Sequence, residues 1–102
     1  MNKQLLLTAS ISLLLSACSK DYTPAAGATG ETIFKQACME CHEAIEGKDN
    51  IYYELASDNK NIDFFQQKIS SGSLIMPKFP NITGEALTAV SQYALEHSTD
   101  KK

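Results

Sequence analysis

An all-α fold is predicted by the apolar spacing of three segments, 31–38, 61–69 and 83–97, and by the lack of any run that alternates convincingly with period two. In the first segment Ile33, Phe34, Ala37 and Cys38 fall at i, i+1, i+4 and i+5, one face of a helix. In the second, Asn61 or Asp63 suits the N-terminal cap, Phe65 and Ile69 share a stripe, and Ser70-Ser71-Gly72 stops the helix. The third is the clearest. Thr83 is placed to cap it, Glu85 complements the positive end of its dipole, and Ala86, Leu87, Val90, Tyr93, Ala94 and His97 lie along one side. Between the first two, residues 51–55 are compatible with a short helical turn, which the spacing leaves open. No internal repeat or second domain is visible; residues 30–98 form the domain and 99–102 a tail.

The first helix leads into Cys38-Met39-Glu40-Cys41-His42, two thiols and an imidazole in the spacing that attaches a c-type haem. Thiols separated by two residues can reach the two vinyl groups on one edge of a porphyrin, and the adjacent histidine then falls beneath the iron. A zinc site needs a second ligand pair, and only His97 remains beyond His42. A thioredoxin-like pair needs a strand-helix context that is absent. A covalent haem also answers a stability problem, because about 85 residues after position 17 supply little apolar core.

Met76 is the natural candidate for the iron's other face. It lies 34 residues after His42 within Leu74-Ile75-Met76-Pro77-Lys78-Phe79-Pro80, where two prolines stiffen the loop. Met39 sits inside the attachment motif and cannot cross the ring. The bland alternative for Met76 is a buried core methionine; its setting downstream of a haem motif favours ligation. Phe79 reads as a wall of the haem pocket, Tyr52, Tyr53 and Tyr93 as packing, and His97, near the end of the last helix, as a surface residue rather than a rival axial ligand.

The N-terminus reads as an export signal over 1–17: Asn2 and Lys3, an apolar run from Leu5 to Leu15, then Ser16-Ala17. Leu15-Ser16-Ala17-Cys18 resembles the lipobox of bacterial lipoproteins, with Cys18 as the acylated (palmitate-bearing) new N-terminus; Ser19 in place of aspartate leans toward the outer membrane. Residues 18–29 are small, polar and turn-forming, as in a flexible tether. The cysteine arithmetic closes: Cys18 takes lipid, Cys38 and Cys41 take haem, and no pair is left for a disulfide. Without Lys3 the chain carries 8 lysines against 12 acids and no arginine, so nucleic-acid binding is disfavoured. Lys35, Lys68 and Lys78 are the candidates for a local positive rim near the haem edge, and Glu40, Glu43, Glu46 and Asp49 for a solvated acidic face.

Gly30 with Phe34 ahead of Cys38-x-x-Cys41-His42, then Met76-Pro77-x-Phe79-Pro80-x-Ile82-Thr83, then Tyr93 in the last helix, make the chain similar to a class I bacterial cytochrome c over residues 30 to 97. The resemblance implies three to four helices wrapped around one covalently attached haem, with the first and last crossing where Gly30 and Phe34 meet Tyr93. One departure is the lack of a proline between His42 and Met76, where the family often uses a proline carbonyl to orient the proximal histidine. The acceptor is then expected among backbone carbonyls of residues 46–55.

The expected function is outer-sphere electron carriage in a periplasmic respiratory chain, without a catalytic site or small-molecule substrate and with redox proteins as donors and acceptors. Methionine ligation favours the ferrous state relative to a bis-histidine site. Two other readings are a relay subunit of a larger membrane oxidoreductase and a gas-binding haem protein in which Met76 is labile.

Overall fold

A computed structural model describes residues 21–101. Helix α1 spans Gly30–Ile33 and runs without a break into a wider π-helical turn, Phe34–Cys38, in which the Met39 N–H reaches back five residues to the Phe34 carbonyl at 3.2 Å. Thr29 starts α1, its hydroxyl accepting the Thr32 N–H at 3.1 Å. The expected periodicity is present: Ile33, Phe34, Ala37 and Cys38 are all buried. A π turn inside a helix is uncommon and is found mostly at functional sites; here it carries the first cysteine of the attachment motif.

Helix α2 spans Ile62–Ser71. Of the two capping candidates Asn61 is the cap. Its Oδ1 accepts the Phe64 N–H at 2.8 Å while its amide donates to the Asp58 carbonyl at 3.0 Å. The helix buries Phe65 and Ile69 and ends at Gly72, whose N–H donates to the Lys68 carbonyl at 2.8 Å. Helix α3 spans Gly84–Glu96, with Thr83 at the N-cap position. The Thr83 hydroxyl makes no capping bond; the residue is exposed, and its carbonyl takes the Leu87 N–H at 3.3 Å.

Helix α3 packs against both α1 and α2. Val90 and Ala94 join Ile33, Phe34, Phe65, Ile69, Phe79 and Ile82 in one core, each large apolar side chain contributing about 1.5–3 kcal/mol on burial. The crossing of α1 with α3 depends on Gly30, because a Cβ there would collide with the Ala89 carbonyl oxygen. One turn on, the Phe34 ring lies 5.2 Å from that of Tyr93 and 4.8 Å from that of Tyr52.

The all-α expectation needs one correction. Residues 51–55 are not a helical turn: Tyr53–Leu55 forms strand β1, which pairs in parallel with β2, Ser98–Asp100, directly after α3. Tyr53 is opposite Ser98, Glu54 opposite Thr99 and Leu55 opposite Asp100. The pairing is extended by the Tyr52 N–H to the His97 carbonyl at 2.8 Å and the Lys101 N–H to the Leu55 carbonyl at 2.9 Å. A second correction concerns His97, which is half-buried rather than on the surface. Its ring stacks on Tyr93 at 4.0 Å, and its Nδ1 lies 2.7 Å from the Asn50 carbonyl oxygen. The helix end does not fray there because the chain continues into β2.

The stretch read as a tether over 18–29 lies against the domain in its described part. The Tyr22 hydroxyl donates to Gln36 at 2.8 Å, the Asn81 side chain donates to the Asp21 carbonyl at 3.2 Å, and Tyr22 and Ala28 pack against the core. Cys18 and the signal segment lie outside the described residues.

Candidate functional site

A cavity of about 390 Å³ opens between the helices, and its lining unites the two motifs that the sequence singles out. Cys38, Cys41 and His42 contribute from the end of the π turn and just beyond it, and Met76 and Phe79 from the loop between α2 and α3. Most of the remaining lining is apolar, from Phe34, Phe65, Ile69, Val90 and Ala94. This size and character suit an organic cofactor held mainly by burial, with few polar groups to orient it.

Backbone bonds at the end of the π turn hold the first half. Cys38 is buried at the foot of the π turn, and its carbonyl accepts two backbone N–H groups, from Cys41 at 3.2 Å and His42 at 2.9 Å. Those bonds curl the chain so that all three residues of the motif meet the cavity. Burial pushes the Cys38 thiol up to about 12. Burial also lowers the His42 pKa and so favours the neutral imidazole, the form that ligates a metal.

The group facing His42 is an aromatic ring. Tyr53, held in place by the β1–β2 pairing, lies 5.1 Å from the imidazole with the planes inclined at 57°, and its own ring packs edge-on against Phe65 at 5.2 Å. Burial raises the Tyr53 pKa, so its phenol stays neutral. Among the backbone carbonyls expected as acceptors for His42, three are engaged elsewhere at least once: Asn50 with His97, Ile51 with the Ile45 N–H at 2.7 Å, and Leu55 with the Lys101 N–H at 2.9 Å. His97 itself is not part of the lining.

The other half comes from a loop. Gly72 leaves α2 with φ +68 and ψ −164, a region open essentially to glycine alone. The loop returns to α2 where the Phe79 N–H donates to the Ile69 carbonyl at 2.8 Å, and Phe79 is buried. Between these points Leu74 and Ile75 stand almost fully in solvent, whereas Met76 is half-buried and turned to the cavity. Of the three lysines proposed for a positive rim, Lys68 lines the cavity with its ammonium 5.7 Å from the Phe64 ring centre. Lys35 pairs instead with Glu31 at 2.8 Å, and that contact lowers the Glu31 pKa.

Of the lining residues, Phe64 and Ser73 received no role from the sequence, and Tyr53 was expected only to pack. Tyr53 reaches the site through a strand pairing across more than forty residues, which no local pattern announces. Ser73 carried a weak signal, as the residue after a helix-stopping glycine and three before Met76.

The family model for cytochrome c oxidase, cbb3-type, subunit III matches residues 25–93, about two thirds of the chain. The matched span begins five residues before α1 and includes Cys38, Cys41, His42, Met76 and Phe79. No curated protein and no solved structure matches the chain.

Proposed function

As a member of the cbb3-type cytochrome c oxidase subunit III family, the chain is a c-type cytochrome that binds haem c covalently and transfers electrons, and we propose that it does so as a single-haem carrier with His42 and Met76 as axial ligands. The observation that carries this reading is the common cavity: the cysteines and imidazole of the attachment motif line the same apolar space as Met76. When bound, the haem supplies a one-electron iron couple. The chain supplies the rest: Cys38 and Cys41 as thioether donors, a neutral imidazole at His42, a thioether at Met76, and apolar walls at Phe34, Phe65, Ile69 and Phe79 that exclude water. With His42 and Met76 both holding the iron, no place would be left there for substrate, and exchange would be outer-sphere, through transient contact with redox protein partners.

Ferric iron bonded to methionine sulfur shows a weak far-red charge-transfer band. The native protein is expected to show it and Met76→Ala to lack it, with a lowered reduction potential. Rapid carbon monoxide binding by the native ferrous protein would instead mark an open iron and a gas-binding protein.

We further propose that the chain is exported and acylated at Cys18, facing the periplasm from a membrane, with Ser19 favouring the outer over the inner one. The support is the signal-like run ending in Leu15-Ser16-Ala17-Cys18. Incorporation of labelled palmitate that disappears in Cys18→Ala tests it. A second reading, a haem relay within a larger oxidase, is favoured by the description of the family itself. Size analysis of the protein extracted from its membrane in mild detergent separates the two.

A further inference from the structure

Met76 reaches the cavity from an irregular loop whose tip receives no support from packing. Leu74 is 104% exposed and Ile75 93%. What fixes the loop is its base. The Ser73 N–H donates to the Met76 carbonyl at 2.8 Å, and the Met76 N–H donates to the Ser73 hydroxyl at 3.3 Å. Both backbone polar groups of Met76 are therefore taken by one residue three positions earlier.

Gly72 supports that clamp from behind. A Cβ on Gly72 would lie 2.6 Å from the Met76 carbonyl oxygen, 2.8 Å from the Lys78 nitrogen and 3.0 Å from the Pro77 carbonyl carbon, all backbone atoms that cannot rotate away. Its φ of +68 is a second, independent requirement for glycine. Pro77 then fixes the backbone from the far side, restricting both its own φ and the conformation of Met76.

We propose that Gly72 and Ser73 are positioning residues for the sixth iron ligand: together they hold the Met76 thioether at the cavity, and their loss frees the iron to exchange it for an external ligand. This rests on Met76 being that ligand. A loop whose competent conformation is only partly populated binds its target correspondingly less well, and a competitor correspondingly better.

The test is imidazole binding to the ferric haem-loaded protein, followed together with the far-red band and the reduction potential. Ser73→Ala removes one hydrogen bond and is expected to tighten imidazole binding about threefold to tenfold. Ser73→Thr, which keeps the hydroxyl, is expected to restore native affinity. Gly72→Ala is expected to lose the far-red band, bind imidazole more than about tenfold tighter and have a lower potential, with helical circular dichroism retained. Leu74→Ala, at the exposed tip, is expected to match the native protein in every readout.

Imidazole affinity in Ser73→Ala within about twofold of native, less than one ordinary hydrogen bond, would overturn the inference; so would an intact far-red band in Gly72→Ala. If Gly72→Ala fails to fold, the Ser73→Ala and Ser73→Thr pair decides alone. A native protein without the far-red band refutes the Met76 ligation and the inference with it, and is told apart because the native spectrum already fails before any variant is made.

Discussion

Gly30 and Gly72 both sit where a methyl group would strike backbone, yet they organise different kinds of structure. Gly30 lies in ordinary helical backbone and lets α1 approach the Ala89 carbonyl of α3; Gly72 has φ +68 and folds a loop against its own continuation at Met76 and Lys78. The first contact joins two helices whose side chains interlock in the core. The second shapes a segment whose tip is in water. Stability and ligation are thereby separated: the helical half of the pocket carries the fold, and the loop half carries the methionine.

The separation is broken most forcefully at Phe34. This ring is fully buried, touches Tyr52, Tyr53 and Tyr93, and also lines the cavity. Phe34→Ala is expected to cost about 3–5 kcal/mol of unfolding free energy in the haem-loaded protein, read by denaturant titration. The fraction that remains folded should keep the far-red band, since the loop is untouched. Gly30→Ala sharpens the same point with a smaller change. The helix must shift to relieve the collision with Ala89, at about 3 kcal/mol, again with the spectrum of the folded state preserved. Band loss before unfolding in either variant would show that the two halves are coupled.

How far the sequence could be read follows the same division. The helices were legible because their information is local: apolar residues at helical spacing, Asn61 or Asp63 as a cap, Gly72 as a stop. That the motif residues and Met76 share one cavity was legible because a haem-attachment spacing and a proline-stiffened methionine are chemically distinctive. The parallel pairing of β1 with β2 was not. Three residues are too few to display a period of two, and their partners lie 45 positions away. With that pairing went Tyr53, which faces His42 only because β2 holds β1 in place, and His97, whose half-buried position depends on Asn50.

His97 joins the two kinds of region, since it ends α3 and pins the loop that follows the attachment motif. Asn50 takes the contact from a left-handed backbone, φ 61, which asparagine tolerates better than most residues. His97→Ala removes the polar contact and the stacking on Tyr93, and is expected to destabilise by about 1–2 kcal/mol. His97→Phe keeps the ring and discards the polar contact, so its midpoint in thermal unfolding should fall between native and His97→Ala. A His97→Phe protein no more stable than His97→Ala would assign the whole effect to the Asn50 contact.

The smallest expected effect has the opposite sign. Ser91, on α3 beside Val90, is fully buried, and among the described residues its hydroxyl has no hydrogen-bond partner. An unpaired buried hydroxyl carries a desolvation cost without return, while its removal leaves a void of only one oxygen atom. Ser91→Ala is therefore expected to raise stability by up to about 1 kcal/mol, seen as a higher midpoint in thermal unfolding, with the far-red band and the reduction potential unchanged. A lower midpoint would mean that the hydroxyl is satisfied in the haem-loaded protein. A changed potential would mean that the Ser91 hydroxyl is felt at the haem through the α3 wall formed by Val90 and Ala94, and that the helical half tunes the haem as well as holding it.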